Sequence, residues 1–251
     1  MPALLDGCPA DELARRLALP SVALYDSVGS TLDVAHRLAP ESPSGTLIVA
    51  DEQTAGRGRH GRRWSSEPGA GLWLTLIERP ADARALDVLA LRCGLYAAEA
   101  LQPLARETIC VKWPNDLYSG GRKLAGILIE TRWRGTAPDW VAIGFGLNVR
   151  SPGVEGATGL AEGATRLDAL ALLVPALRQA AAATRHLTDA ELTRWTRRDL
   201  ASNRIVSTPV AGRALGIERD GQLVITAPDG ALTRHRTGSL TFADPHSLTC
   251  S

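Results

Sequence analysis

Short runs of β-branched and other apolar residues, closed off by Gly, Ser and Pro, alternate in the first half of the chain with stretches of helical period. VALYDSV, TLIVADEQ (46–53) and GLWLTLIE (71–78) predict strands. Thr31 to Leu38 carries apolar residues at helical spacing behind two hydroxyl residues, which predicts a helix with Ser30 or Thr31 near its N-cap. A short helix is predicted around Asp11 to Leu19 and a long amphipathic one over Leu86 to Leu104. TICVKW, KLAGILIETRW and DWVAIGFGLNV predict three more strands, the first two joined through Asn115 to Gly121. Links this short favour antiparallel pairing.

In the second half, Arg166 to His186 and Asp189 to Leu200 read as alanine- and leucine-rich helices. The character then changes to four short β segments, STPVAGRAL, GQLVITAP, GALTRHR and GSLTF, which predict a small β-barrel beginning near Arg204. The pattern therefore implies an α+β fold: a largely antiparallel mixed sheet with helices packed on it over 1–203, then a small β domain over 204–251. Two connections lack periodicity. Gly153 to Gly163 reads as flexible, and 54–70 is long enough for a functional or mobile loop.

Composition narrows the functional classes. With 251 residues and 45% hydrophobic content the chain can bury a sizeable core, and a net charge of +1 gives no general attraction to nucleic acid or membrane. The N-terminus lacks the charge and apolar run of a signal peptide, and no stretch is long enough to span a bilayer. Four widely spaced cysteines, Cys8, Cys93, Cys110 and Cys250, predict neither a disulfide framework nor a zinc site, and imply a reducing cytoplasm. Lysine supplies two of the 28 Lys and Arg residues, and both, Lys112 and Lys123, fall in KWPNDLYSGGRK. A chain that writes its other cations as arginine retains lysine where a compact, movable ammonium is needed, unless the pairing is chance.

Three segments carry candidate chemistry. Gly56 to Trp64 packs four arginines and three glycines before an exposed-looking tryptophan. It matches GxGxxG formally, but the following RRWSSEPGAG cannot open the helix that a dinucleotide fingerprint needs. Clustered guanidiniums with amides accessible at glycines suit a polyanion such as a nucleotide, the alternative being a solvated surface turn. Asn115 and Asp116 offer oxygens suited to Mg²⁺, or form a turn after Pro114. Ser27 to Thr31 can bind a polar ligand group or merely cap the helix, and the glycines of GFGLNV can mark a bulge or a close approach.

GSTLDVA, DEQTAGRGRHGRRWSS, KWPNDL, RKLAGILIE and GFGLNV together resemble the biotin protein ligases in order and spacing. The resemblance is strong over Ser27 to Arg150 and weaker beyond. It implies a catalytic domain of class II synthetase-like, biotin/lipoate ligase type followed by an SH3-like β-barrel. The stretch before the first strand is too short for the helix-turn-helix module of bifunctional relatives, so the form expected lacks DNA binding and repressor function. The implied activity is ATP-dependent: biotin becomes biotinyl-5′-AMP and is then passed to a lysine of a biotin carboxyl carrier protein of biotin-dependent carboxylases. ATP and biotin are the substrates, with Mg²⁺. No DNA or membrane partner is implied, and the chain is expected to be a monomer or homodimer.

Carried over by position, Ser30, Thr31, Gln53, Gly56, Arg57, Gly58, Arg59, Lys123, Gly126, Gly144 and Gly146 would form the biotin site. Arg59, Arg62, Trp64, Lys112, Asn115, Lys123 and Asn148 would serve ATP, with Trp64 stacking on adenine. Asn115 and Asp116 would hold the metal. Arg59, Lys112, Lys123 and Asp116 are the catalytic candidates, Asp116 as proton acceptor for the incoming lysine. Leu32 departs from the asparagine often found after Ser-Thr, which bears on biotin affinity. Lipoate or octanoyl transfer is the neighbouring enzymatic alternative. A nonenzymatic nucleic-acid binder would need a wider basic face than this composition offers.

Overall fold

A computed structural model describes residues 3–244 and 250. Helix α1 (Ala10–Arg16) precedes β1 (Ser21–Val28), α2 (Thr31–Leu38), β2 (Thr46–Gln53) and β3 (Gly71–Glu78). After a 3-10 turn come α3 (Leu89–Leu101), β4 (Ile109–Lys112), β5 (Asp116–Ser119), β6 (Arg122–Arg134) and β7 (Ala137–Asn148). These seven strands form one sheet in the order β1-β2-β3-β7-β6-β5-β4. Only β1 and β2, which flank α2, pair in parallel; every other neighbour is antiparallel.

Strand β5 departs from the sequence reading, which made Asn115 to Gly121 a simple link. DLYS is short and follows turn formers, yet it pairs on both sides, with β4 and β6. Its neighbours, not its own pattern, make it a strand. The predicted helix over Leu86 to Leu104 is likewise narrower: 3-10 turns at Ala83–Val88 and Gln102–Leu104 flank α3.

Both faces of the sheet are covered, so β3 is buried along its whole length. Leu72, Leu74 and Leu76 join the main core with Leu95 and Ala98 of α3 and Leu173 and Leu177 of α4 (Arg166–Ala182). On the opposite face Leu32, Val34 and Ala35 of α2 pack with Ile48, Ile77, Trp140 and Ala142. Helix α5 (Asp189–Thr196) carries a Thr188–Glu191 capping box, and Glu191 also pairs with the buried Arg92 of α3 at 2.7 Å. That pair is bonded further by the carbonyls of Arg185 and His186, which satisfy the buried guanidinium.

Strands β8 (Ile205–Thr208), β9 (Gly212–Ile217), β10 (Leu223–Thr226), β11 (Leu232–His235) and β12 (Thr241–Phe242) form a second, antiparallel sheet in the order β11-β10-β9-β8-β12. Its edges, β11 and β12, do not pair with each other among the described residues, and the five short antiparallel strands fit the expected SH3-like domain. It docks on the first unit through the buried Trp113, whose indole donates to the Gly221 carbonyl at 3.1 Å.

The cysteines correct another expectation. Cys110 on β4 and Cys250 are joined by a disulfide, with Cα atoms 5.6 Å apart, while Cys8 and Cys93 are free and buried. Linear spacing gave no sign of this, because the second sheet folds back and returns the chain end to β4. Burial pushes the Cys93 thiol up to about 12, so it stays protonated and unreactive.

Candidate functional site

One cross-strand row carries the site. Lys112 of β4 pairs with Asp116 of β5, Asp116 with Gly126 of β6, Gly126 with Gly146 of β7, and Gly146 with Trp73 of β3. The glycines open a trough on the α2 face of the sheet, and an irregularity in the β5–β6 pairing brings Lys123 to it. Without that bulge the strict two-residue period would send Lys123 to the opposite face from Gly126. Instead its Nζ lies 2.9 Å from Asp116 Oδ1.

Loop 54–70 roofs this trough. Arg57 pairs with Arg63 as an isolated antiparallel bridge, with a single 3-10 turn at Arg59–Gly61. His60 and Gly61 take left-handed backbone at the tip, with φ of 56° and 71°. No helix opens here, so the dinucleotide reading fails as the sequence indicated. Gly56 lets the two limbs of the loop close, since a Cβ there would stand 2.5 Å from the Trp64 carbonyl oxygen.

Roof and trough enclose a cleft of about 940 Å³ including its mouth. Every proposed site residue lines it except Gly56 and Asn148. Asn148 shares the face of Gly144 and Gly146 on β7 but is buried, its amide donating to the Thr158 carbonyl at 3.1 Å. Trp64 departs from the sequence reading. It is half-buried, not exposed, and its ring lies over Gly126 and Gly146 with Trp73 edge-on at 6.4 Å. Arg57 lines the cleft, but its guanidinium turns to Asp33 and Glu130.

At one end the groups are neutral and polar. Ser30 caps α2, accepting from the Leu32 amide at 3.3 Å. The Thr31 amide and hydroxyl both donate to Gln53 Oε1, at 2.9 and 3.1 Å. Thr75 donates to the Thr31 hydroxyl at 2.9 Å, and Gln53 Nε2 donates to Ser66 at 2.9 Å. This chain occupies the carboxamide oxygen and leaves one N–H of Gln53 to offer. Thr75 and Ser66 were missed in the sequence because an isolated hydroxyl in a strand or loop carries no signal. Leu32 and Leu128, whose side chains lie on the α2 face, make the middle apolar.

The other end is cationic. Arg59 donates to Asn115 Oδ1 at 3.1 Å and to the Gly238 carbonyl at 3.3 Å, and Arg62 donates to the Ser239 hydroxyl at 3.2 Å. Lys112 Nζ reaches the Tyr118 hydroxyl at 3.2 Å and lies over the rings of Tyr118 and Phe242, 4.9 and 5.4 Å from their centroids. Burial lowers the pKa of Lys112; Asp116 opposes this, while Lys123 and Arg62 reinforce it. Arg59 is lowered for the same leading reason, with Asp116 opposing and Arg62 reinforcing. Burial also drives Tyr118 up to about 12, with Asp116 adding to it and Arg62 opposing, so its hydroxyl stays protonated. Four cations thus surround one carboxylate, an excess that suits a polyanion. Gly238, Ser239 and Leu240 of the second sheet complete this wall, which no local pattern could reveal.

The donor set for a metal is small. Asp116 Oδ1 is buried without an aligned hydrogen bond, although the Lys123 ammonium is near it, and Asn115 Oδ1 is shared with Arg59. No group of three His, Cys, Asp or Glu suited to a metal occurs among the described residues. One carboxylate and one amide fit Mg²⁺ arriving with a triphosphate better than a resident ion.

An apolar cleft, neutral at one end and strongly cationic at the other, defines a binding site for a small organic molecule beside a polyanion such as a nucleotide. Residues 25–148 match the Biotin/lipoate A/B protein ligase family. The bifunctional ligase/repressor BirA of Escherichia coli is 34% identical over 233 residues, covering 86% of this chain and 72% of that protein. A biotin–[acetyl-CoA-carboxylase] ligase of Mycobacterium tuberculosis is 40% identical over 110 residues, 42% of this chain and 40% of that relative. In fold, the chain resembles the biotin protein ligase from Aquifex aeolicus in complex with biotin and ATP. The TM-score is 0.73 at 24% identity, covering 90% of this chain and 100% of that one. The chain belongs to the biotin protein ligases.

Proposed function

We propose that this chain joins biotin to ATP and then passes the biotinyl group to a lysine of a biotin carboxyl carrier protein, the acceptor class that the acetyl-CoA-carboxylase ligase relatives suggest. In the first step a biotin carboxylate oxygen bonds to the α-phosphorus as the bond to pyrophosphate breaks. In the second the acceptor amine bonds to the acyl carbon as AMP leaves and the amine loses a proton.

The carrying observation is the polarity of the cleft. The ureido end of biotin fits the Ser30–Gln53 end, where Gln53 and Ser30 offer donors to a carbonyl, and the ring system fits the apolar middle. The carboxylate would then face Lys123. Arg59, Arg62 and Lys112 would face the phosphates, stabilising charge by placement, with Mg²⁺ delivered on the triphosphate. Asp116 Oδ1, buried and without an aligned donor, is the proton acceptor in this reading. Trp64 would present its outer face to adenine. Asn148, on the same face of β7 as Gly144 and Gly146, would contact the nucleotide, and Gly56 supports the roof.

The reaction would run in the cytoplasm, where ATP is supplied; the Cys110–Cys250 bond removes cysteine usage as an argument for that compartment. No helix among the described residues is long and apolar enough to cross a membrane. The test is pyrophosphate release from ATP and Mg²⁺ with biotin or with lipoate. Release with biotin, followed by labelling of a carrier domain, is expected. Release with lipoate alone overturns the substrate, and Asp116→Asn with normal single-turnover transfer from preformed adenylate removes its role.

A further inference from the structure

The arginines of the loop reach acceptors on two different walls of the cleft. Arg59 and Arg62 reach Asn115 and the Gly238–Ser239 segment, as described. Arg57 turns to the α2 and β6 side. Its two terminal nitrogens lie 3.1 Å from the two oxygens of Glu130, and one of them lies 3.0 Å from Asp33 Oδ1. Glu130 also meets His36 Nε2, and the His36 ring stands edge-on to Trp140 at 5.0 Å. Thus two carboxylates, from the first turn of α2 and from the middle of β6, hold one guanidinium.

We propose that Asp33 and Glu130 are positioning residues: by clasping Arg57 they hold the arginine loop closed over the cleft and so set how firmly biotin and its adenylate are retained. This rests on the biotin-ligase reading. Arg57 stands at the base of the small hairpin, opposite Arg63, with Gly58 N–H donating to the Arg62 carbonyl at 2.8 Å and Trp64 N–H to the Gly56 carbonyl at 2.9 Å. Fixing the Arg57 side chain therefore fixes the limb that carries Arg59 and the limb that ends in Trp64, both of which face the ligand.

The same elements that clasp Arg57 also build the neutral end of the cleft. Asp33 follows Thr31 and Leu32 in α2, and Glu130 follows Leu128 in β6, so the clasp ties the roof directly to the walls beneath it. Isolated surface ion pairs contribute little, but a bidentate fork shared by two carboxylates is geometrically fixed and loses less entropy per bond. Ordering a long irregular loop is costly, so a modest bias of this kind shifts its open and closed populations. With both faces of the fork engaged by protein, Arg57 is committed to the loop and not to a phosphate.

The experiment uses the full chain and two readouts: biotin-dependent ATP–pyrophosphate exchange, and trypsin cleavage within 57–63 without substrates. Glu130→Gln should raise the biotin KM about tenfold with kcat within about twofold, and Asp33→Asn should do so more weakly. Glu130→Asp should recover part of the loss. Adding Arg57→Ala to Glu130→Gln should cost little more than either change alone, because the three groups act as one unit. Cleavage within the loop should accelerate severalfold in both carboxylate variants at unchanged far-ultraviolet circular dichroism. Unchanged KM with unchanged cleavage, or losses that add independently, overturns the clasp. A wild-type chain without biotin-dependent exchange would instead refute the ligase reading, and the cleavage rates would still decide the clasp.

Discussion

Gly126 on β6 stands directly opposite Gly146 on β7, and the indole of Trp64 covers both. A Cβ on Gly146 would fall 2.6 Å from Trp64 Cε2, and one on Gly126 would fall 2.9 Å from Cζ3. The glycines are needed for that approach, not for backbone freedom. Gly146→Ala should therefore lift the indole and raise the KM for biotin or ATP by about tenfold or more, while overpacking lowers stability by about 1–3 kcal/mol. Tryptophan fluorescence and exchange kinetics on the same sample check it; an unchanged spectrum with wild-type kinetics would contradict this placement of Trp64.

Lys123 offers a second test. Its ammonium lies 2.9 Å from Asp116 and 5.2 Å from the Trp64 ring centroid, a tight setting for a compact charge. A planar guanidinium cannot occupy the same point without displacing one of them. Lys123→Arg should lower kcat for adenylation by about 100-fold, a loss of transition-state stabilisation of about 3 kcal/mol, with biotin binding largely kept. Isothermal titration with biotin alongside pyrophosphate exchange separates the two quantities.

Lys112 predicts a pH dependence. Its pKa is lowered, burial being the main cause, so it loses its charge at lower pH than an ordinary lysine as pH rises. If it faces the phosphates, the KM for ATP should climb with pH before an ordinary lysine would titrate. Lys112→Arg keeps the charge throughout and should remove that climb, at some cost in fit. Initial rates across an alkaline pH series for both proteins check it.

Asp199 predicts a change in stability unrelated to the cleft. Burial raises its pKa from 3.8 to about 6, partly offset by the Ala201 N–H, which it accepts at 2.9 Å. The folded state thus favours the protonated form. Its contribution to stability is complete below 3.8, falls as pH rises toward about 6, and remains lost above that. The implied penalty at neutral pH is about 3 kcal/mol at most. Asp199→Asn should gain on the order of 2 kcal/mol near neutral pH and flatten the decline between these pKa values. Urea denaturation at a series of pH values checks it.

Most elements were legible in the sequence because their burial pattern is local. TLIVADEQ and GLWLTLIE read as strands since both faces are covered, and Ser30 marked the start of α2 with its own side chain. What escaped depended on partners distant in sequence. DLYS becomes a strand only between β4 and β6, the Cys110–Cys250 bond depends on the return path of the second sheet, and Gly238 to Leu240 reach the cleft by the same route. Within the site, residue type identified most of the lining. It did not reveal the bulge that orients Lys123 or the turning of Arg57 to Asp33 and Glu130.

The covalent link between Cys110 and Cys250, separated by 140 positions, closes the latter part of the chain into a lasso. Lys112, Asp116, Lys123 and Phe242 lie inside the ring, while α2, Gln53 and the arginine loop lie outside it. When the fold opens, Lys112, Asp116 and Lys123 therefore stay confined with one another, while Arg59, Arg62 and the neutral end are released. The lysines and the arginines of a single binding cleft thus belong to parts of the polymer with unequal freedom, and reduction of one bond would make them equal.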